Sequence, residues 1–297
     1  MARAKRHFLP GHVWHLTHRC HKKEFLLKLV KDRQRWLYWL FEAKKRYGLQ
    51  ILGYTVTCNH THLLVADGDR RDTIPKSMQL IAGRSGQQYN QRKSRRGAFW
   101  EDRYHATAIQ TNEHLVKCIV YIDLNMVRAG SVGRPSEWPF SGYKEIQDPR
   151  RKCALIAYER LKELAGIDTC AQFRAVHRDW VNDSLGQGRS IRDSKWTRSI
   201  AVGSERFVHR TKKELGARAK GRVVLESAEA FQLREPGVSY RIDFGPKKDD
   251  IGAVVSNNKC NGVLVIVIFE KYFIGRCKTQ GFSCCCPVVV VGGDSSG

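Results

Sequence analysis

The chain has 297 residues, of which 42% are hydrophobic, and its formal net charge is +23. This length is enough for a hydrophobic core and allows one large or two smaller domains. The charge predicts a polyanionic partner, and nucleic acid is favoured over a membrane surface because no amphipathic helix is rich enough in apolar residues. Residues 1–10 are basic and are not followed by an apolar core, so they do not resemble a secretory signal.

The ten cysteines predict neither a disulfide framework nor a zinc site. Five of them are scattered singly, at Cys20, Cys58, Cys118, Cys153 and Cys170. The others lie close to the end of the chain, and no Cys-x-x-Cys pair occurs. Free thiols in a reducing cytoplasm are the simplest interpretation.

The first part of the chain alternates between strand and helix patterns. Residues 12–20 predict a strand, and residues 28–47 predict a long amphipathic helix that ends at Gly48. Residues 49–57 and 60–66 predict two strands, which are close enough in sequence to form an antiparallel hairpin.

A second helix is predicted over residues 74–92, a fourth strand over 104–110 and a third helix over 114–129. The order β-α-β-β-α-β followed by a helix indicates an α+β fold of the ferredoxin-like kind, with an antiparallel sheet backed by helices. We therefore predict one domain over residues 1–147.

The pattern becomes less regular after this domain. Short helices are predicted near 155–165 and 171–185 and from a cap at Ser204, and they define a basic helical extension over residues 150–225. A solvated helical surface would also explain its basic residues. Residues 226–297 are predicted to be a poorly structured tail, whose apolar run is too short to span a bilayer.

Two histidines lie two residues apart on the predicted strand 60–66. Because side chains alternate along a strand, His60 and His62 point to one face and Thr61 to the other. Two neutral imidazoles on a rigid element can hold a divalent metal, although a purely structural pair is as common.

The third helix carries a polar stripe. At ~100° per residue, His114, Lys117, Tyr121, Asn125 and Arg128 fall within roughly an 80° arc, beside an apolar stripe. A tyrosine hydroxyl on this face could act on a phosphate as a nucleophile or a hydrogen-bond donor, or be only a partly exposed tyrosine.

These motifs together resemble the single-tyrosine HUH transposases, and most closely the REP-associated tyrosine transposases, which are related to IS200-type elements. The matching segments are 9–11 (LPG), 15–19 (HLTHR), 59–64 (NHTHLL), 99–105 (FWEDRYH), 121–130 (YIDLNMVRAG) and 138–143 (WPFSGY). Two positions depart from the pattern, Thr61 between the histidines and Met126 after the asparagine. Neither removes a candidate ligand or nucleophile.

The resemblance implies a metal-dependent endonuclease and strand-transferase that acts on single-stranded DNA beside hairpins. It implies that Tyr121 is the nucleophile and forms a 5′-phosphotyrosine, and that His60, His62 and Asn125 bind Mg²⁺ or Mn²⁺. It also implies a bacterial, cytoplasmic, nucleoid-associated protein that acts on REP-like hairpins, either as a monomer or as a homodimer that shares active sites.

Basic residues outside this centre are candidates for DNA binding: Arg3, Lys5, Arg6, Arg92, Lys93, Arg95, Arg96 and Lys117. The alternative functions are a hairpin-binding protein without efficient catalysis, a relaxase or replication initiator, and a metal-dependent hydrolase that forms no covalent adduct.

Overall fold

The structure, a computed structural model, describes residues 9–68, 70–149, 152–186, 193–227 and 230–235. All of them lie in the first of two units of the chain, Met1–Ile251. The predicted contacts Arg3, Lys5 and Arg6, and the apolar run 262–269, fall outside the described residues.

Four strands form the predicted antiparallel sheet: β1 (Val13–Arg19), β2 (Gln50–Val56), β3 (His60–Ala66) and β4 (His105–Ile109). Their order, β2-β3-β1-β4, is the ferredoxin-like order, with β1 antiparallel to both β3 and β4. The hairpin of β2 and β3 is confirmed and contains an irregularity between Ile51 and Gly53.

Helices α1 (Val30–Tyr47) and α2 (Thr73–Arg92) pack on each other. The side chain of Trp100 donates to the α2 carbonyl of Ala82 and stacks on His18 of β1 at 4.1 Å between ring centroids. These helices therefore cover the face of β1 that carries Leu16 and His18. Gly48 ends α1 in the left-handed conformation, as predicted.

The opposite face receives α3 (Glu113–Asp123) and the short α4 (Asn125–Arg128). The Cβ direction of Gly53 points at Ile119 of α3 and Leu64 of β3, which places α3 on the face of Leu64. The predicted helix over 114–129 is thus two helices, because Leu124 has a ψ of 1° and interrupts the α-helical backbone. Asn112 precedes α3, but its side chain makes no capping hydrogen bond.

Residues after 140 contain helices α5 (Tyr143–Gln147), α6 (Tyr158–Ala165), α7 (Cys170–Gly186), α8 (Lys195–Arg198) and α9 (Glu205–Leu215). The cap of α9 is as predicted, since Ser204 accepts a hydrogen bond from the amide of Phe207.

Three further strands lie in this part: β5 (Ala201–Gly203), β6 (Val223–Ser227) and β7 (Ala230–Arg234). Strand β5 pairs in parallel with β4, so the described sheet has seven strands in the order β2-β3-β1-β4-β5-β7-β6. The extension over 150–225 was expected to be mostly helical, and strand β5 was not predicted because it has only three residues and offers no period-two pattern. Strand β7 and the end of β6 lie in the part after residue 225 that was expected to be poorly structured. The domain boundary at residue 147 stays a prediction, although the sheet continues beyond it.

A close contact fixes the start of α9 against the sheet. A Cβ at Gly203 would lie 2.6 Å from the side chains of Gln110 and Phe207, so only glycine fits there. Gln110 accepts a hydrogen bond from the amide of Ser204. Among the described residues, no helix combines the length and the apolar character that crossing a membrane requires.

Candidate active site

The two predicted metal ligands lie side by side on the α3 face of the sheet. The register pairs Thr17 with His62 and His18 with Thr61, so Thr61 points to the opposite face, as predicted. The rings of His60 and His62 lie 5.0 Å apart between centroids and are nearly perpendicular. Both side chains are buried, and His62 has no exposed surface.

His62 is held at both ring nitrogens. Its Nδ1 lies 2.9 Å from Nε2 of His15, and its Nε2 lies 2.9 Å from Nδ2 of Asn125. His15 in turn contacts the backbone carbonyl of Trp196 through Nδ1, at 2.8 Å. Burial lowers the pKa of His15 to about 3, so this ring is neutral at pH 7.

His60 is oriented by the turn that precedes its strand. Its Nδ1 lies 2.7 Å from Oδ1 of Asn59 and 2.9 Å from Oγ1 of Thr57. The amide oxygen of Asn59 can only accept, so Nδ1 of His60 carries the proton. The lone pair of the neutral ring is then on Nε2, the form in which histidine binds a metal.

Tyr121 reaches this centre from α3. Its ring centroid lies 6.0 Å from that of His62, 6.3 Å from that of His15 and 6.1 Å from that of Trp196. Only 7% of Tyr121 is exposed. The helical pattern predicted a polar surrounding for this side chain, and the structure adds that the surrounding is a buried cluster of aromatic and imidazole rings.

A cation from α4 lies over the ring of Tyr121. The Cζ atom of Arg128 lies 4.2 Å from the ring centroid, and the same guanidinium donates to the carbonyl of Tyr121. A cation over an aromatic face is attracted by the ring and can also attract a phosphate. Lys117 was expected to flank Tyr121, but its ammonium lies 2.7 Å from Glu113 and 5.9 Å from the ring of Trp180.

The donor atoms suit a divalent cation of intermediate hardness. Two imidazoles and an amide are available, and imidazole suits transition metals while an amide oxygen suits Mg²⁺ and Mn²⁺. No group of three or more His, Cys, Asp or Glu side chains in the described part of the chain could hold a metal. The predicted set differs from such a group because its third member, Asn125, is an amide. The chemistry of these donors fits the predicted metal. In the described geometry the amide nitrogen of Asn125 faces Nε2 of His62, so the amide would have to turn for its oxygen to serve as a ligand.

The basic residues predicted to bind DNA at the end of α2 and after it differ in whether they have partners within the protein. Arg92 pairs with Asp32 of α1, and Arg95 donates to the carbonyl of Ala98 and to Oδ1 of Asn90. Lys93 and Arg96 are exposed, and among the described residues neither side chain has a hydrogen-bond or ion-pair partner. Arg92 and Arg95 thus have structural partners in the protein, whereas Lys93 and Arg96 remain accessible to a phosphate.

Two residues to which the sequence gave no role contribute to this centre, His15 and Trp196. Arg128 was placed on the polar stripe of Tyr121, and the structure adds its contact with the ring. The alternation of side chains in β1 places His15 on a defined face, but only the pairing of β1 with β3 brings it to His62. No sequence pattern indicates the approach of Trp196, because it depends on where α8 packs.

A buried hydrogen bond between two side chains supports the helix that carries Tyr121. Oδ2 of Asp123 lies 2.9 Å from Nε2 of His177 on α7, and Nδ1 of His177 accepts from Nε2 of Gln147 at 2.8 Å. Burial raises the pKa of Asp123. The pair joins α7 to the end of α3, two residues from the candidate nucleophile.

Comparisons with known proteins show what the first part of the chain is similar to. Residues 10–125 match the family described as IS200-like transposases. Among solved structures, the REP-associated tyrosine transposase bound to a REP hairpin is 20% identical with a TM-score of 0.42, over 52% of this chain and 90% of that one. A proposed transposase from Deinococcus radiodurans R1 is 17% identical with a TM-score of 0.29, over 38% of this chain and 88% of that one.

No curated protein matches the chain. The matched region begins before β1 and ends at Asn125, so it includes both histidines, the tyrosine and the third candidate ligand. Residues 10–125 of this chain are therefore similar to the IS200-like transposases, the family that the motifs resemble.

Proposed function

We propose that this protein is a metal-dependent single-stranded DNA endonuclease and strand-transferase that acts at hairpin DNA of the REP type. The observation that carries the proposal is the convergence of β3 and α3. His60 and His62 come from the strand, Tyr121 and Asn125 come from the helix segments, and they meet on one face of the sheet. The family match supports transposase chemistry in this region.

Tyr121 is the proposed nucleophile. Its hydroxyl oxygen forms a bond to the scissile phosphorus, the bond from phosphorus to the 3′ oxygen breaks, and that oxygen takes up a proton. The products are a 5′-phosphotyrosine and a free 3′-hydroxyl. Because one phosphodiester is exchanged for another ester, the reverse step with a different 3′-hydroxyl joins strands without another energy source.

The residues around Tyr121 have distinct proposed tasks. His60, His62 and Asn125 would hold Mg²⁺ or Mn²⁺, which when bound polarises the phosphate and offsets its developing charge. Arg128, placed over the Tyr121 ring, attracts the phosphate electrostatically. The buried setting of His15 and His62 keeps their rings in one orientation.

One observation favours a second candidate, a hairpin-binding protein without turnover. Tyr121 and His62 are both buried, and the ring of Trp196 lies beside Tyr121. A scissile phosphate must gain access to these groups before any cut. If that access never opens, the protein would bind hairpins and form no adduct.

The test uses end-labelled single-stranded hairpin DNA taken from repeats that flank the gene. The protein and its Tyr121→Phe variant are each incubated with Mn²⁺ or with EDTA, and adducts are read on a denaturing gel. An adduct that needs the metal and is lost in Tyr121→Phe supports the proposal. Binding without an adduct by folded protein supports the second candidate, and cleavage that survives in Tyr121→Phe refutes Tyr121 as the nucleophile.

Tyr143→Phe is the matched control. Tyr143 is a half-buried tyrosine that, like Tyr121, lies near a histidine, with 5.4 Å between its ring centroid and that of His177. It lies on α5, in contact with His177 and not with the two predicted metal ligands. Loss of the adduct in both variants would indicate a general effect on folding.

A further inference from the structure

We propose that His15 is a positioning residue that fixes the tautomer of His62, and that the backbone carbonyl of Trp196 fixes His15. The tautomer can be measured without metal or DNA, while its role in metal binding rests on the proposed function. The inference extends the candidate active site to α8, which lies outside the matched region 10–125.

The first step follows from the Trp196 carbonyl. A carbonyl oxygen can only accept, so Nδ1 of His15, 2.8 Å away, carries a proton. A second proton on the same ring would place a cation in a site with no exposed surface. Nε2 of His15 is therefore unprotonated and accepts a hydrogen bond.

In the second step, the unprotonated Nε2 of His15 determines which nitrogen of His62 carries the proton. Nδ1 of His62 lies 2.9 Å from Nε2 of His15. Because Nε2 of His15 accepts, Nδ1 of His62 must donate. The neutral ring of His62 then has its lone pair on Nε2. The amide nitrogen of Asn125 lies 2.9 Å from that atom, as expected for an N–H that donates to a lone pair.

The third step concerns the segment that supplies the carbonyl. The carbonyl of Ser199 accepts from Oγ1 of Thr107 at 2.6 Å and lies 3.0 Å from Nε2 of His105. These two β4 side chains hold residues 196–199 against the sheet. The position of the Trp196 carbonyl is therefore set by the same strand that pairs with β1.

The hydrogen bond from His62 to His15 keeps the lone pair of His62 on Nε2, where a metal can bind. A histidine binds a metal through an unprotonated nitrogen, and a hydrogen bond at the other nitrogen decides which one that is. The proton of His60 is fixed on Nδ1 by the neighbouring Asn59. The proton of His62 is fixed by His15 of β1, which is itself fixed by the carbonyl of Trp196 on α8. Loss of such a partner typically lowers metal affinity 10–100-fold.

The experiment is a long-range ¹H–¹⁵N correlation spectrum of the metal-free protein labelled at histidine, with His62 assigned from the peak lost in His62→Gln. We expect the neutral Nδ1–H tautomer at His62 in the unaltered protein. In His15→Met, which keeps the volume but removes both nitrogens, we expect the Nε2–H form to become populated. An Nε2–H tautomer in the unaltered protein, or no change in His15→Met, would overturn the proposal.

His15→Gln separates positioning from packing, because an amide supplies one donor and one acceptor. We expect the His62 tautomer to be retained in this variant and Mn²⁺ affinity, measured by electron paramagnetic resonance, to stay close to that of the unaltered protein. In His15→Met the affinity is expected to fall 10–100-fold. Equal losses in both variants would refute the role of the hydrogen bonds.

The same data distinguish this inference from the proposed function. If the tautomer responds as expected but no adduct forms with hairpin DNA, the proposed function fails and the positioning of His62 stands. If the adduct forms and the tautomer of His62 does not depend on His15, the positioning inference fails by itself.

Discussion

The buried hydrogen bond between His177 and the Asp123 carboxylate gives the sharpest prediction about stability. Both side chains are almost fully buried, and Nε2 of His177 lies 2.9 Å from Oδ2 of Asp123. Replacing His177 by Leu leaves a carboxylate in the interior without its partner, for which a cost of about 3–5 kcal/mol is typical. At roughly 2–4 °C per kcal/mol for a domain of this size, the Tm should fall by roughly 6–20 °C.

The assay is thermal and urea unfolding at pH 7 of His177→Leu, Asp123→Asn and the double variant. Because the two residues share one interaction, the double variant should be more stable than the sum of the single losses predicts, by about 0.5–3 kcal/mol. His209→Leu is the control, since His209 is exposed and lies 3.9 Å from Glu205, and it should change stability by less than about 0.5 kcal/mol. Additive losses at Asp123 and His177 would refute the reasoning.

Three further predictions concern pH, metal and DNA. Burial lowers the folded-state pKa of His15 to about 3 and also lowers that of His105, so the unfolded state binds more protons below pH 6.5. Stability should therefore be complete above that pH and fall as the pH decreases, by up to about 1.4 kcal/mol per pH unit for each histidine, in urea titrations. Asn125→Asp should tighten Mg²⁺ binding in calorimetry, because it adds an anionic oxygen ligand, whereas Asn125→Leu should weaken it. Lys93→Ala and Arg96→Ala should each reduce the salt dependence of single-stranded DNA affinity by about 0.7 in log–log slope.

Each of these three predictions can be contradicted by a specific result. Stability that does not change between about pH 7 and 5 would mean that the buried histidines are protonated in the folded state as readily as in the unfolded state. Equal Mg²⁺ affinity in the two Asn125 variants would exclude this residue as a ligand. Arg92→Ala is the control for the DNA measurement: its pairing with Asp32 predicts a loss of stability in place of a change in slope.

The periodic parts of the sequence predicted the first four strands and the three main helices. Alternation placed His60 and His62 on one face, and helical spacing placed Tyr121 and Asn125 on one side of the chain. The predicted helix end at Gly48 and the predicted helix cap at Ser204 were also confirmed. These features depend on neighbours within a few residues, and this is why a sequence pattern can reveal them.

The features that were not predicted depend on distant contacts. Strand β5 forms because β4 offers it a free edge, and its three residues carry no pattern of their own. His15 acquires a role only through pairing with β3 and packing of α8. The burial of Tyr121 likewise depends on which segment covers the polar stripe, which helical spacing does not specify.

The parallel pairing of β5 with β4 has a consequence for synthesis. The amides of Ala108 and Gln110 donate to the carbonyls of Ile200 and Val202. During translation at about 5–20 residues per second, β4 leaves the ribosome several seconds before β5 exists. For that interval its backbone donors are an open edge that another chain can pair with. Slow or interrupted synthesis between these strands should therefore favour aggregation of the nascent protein, and a chain cut short before Ala201 should retain this hazard permanently.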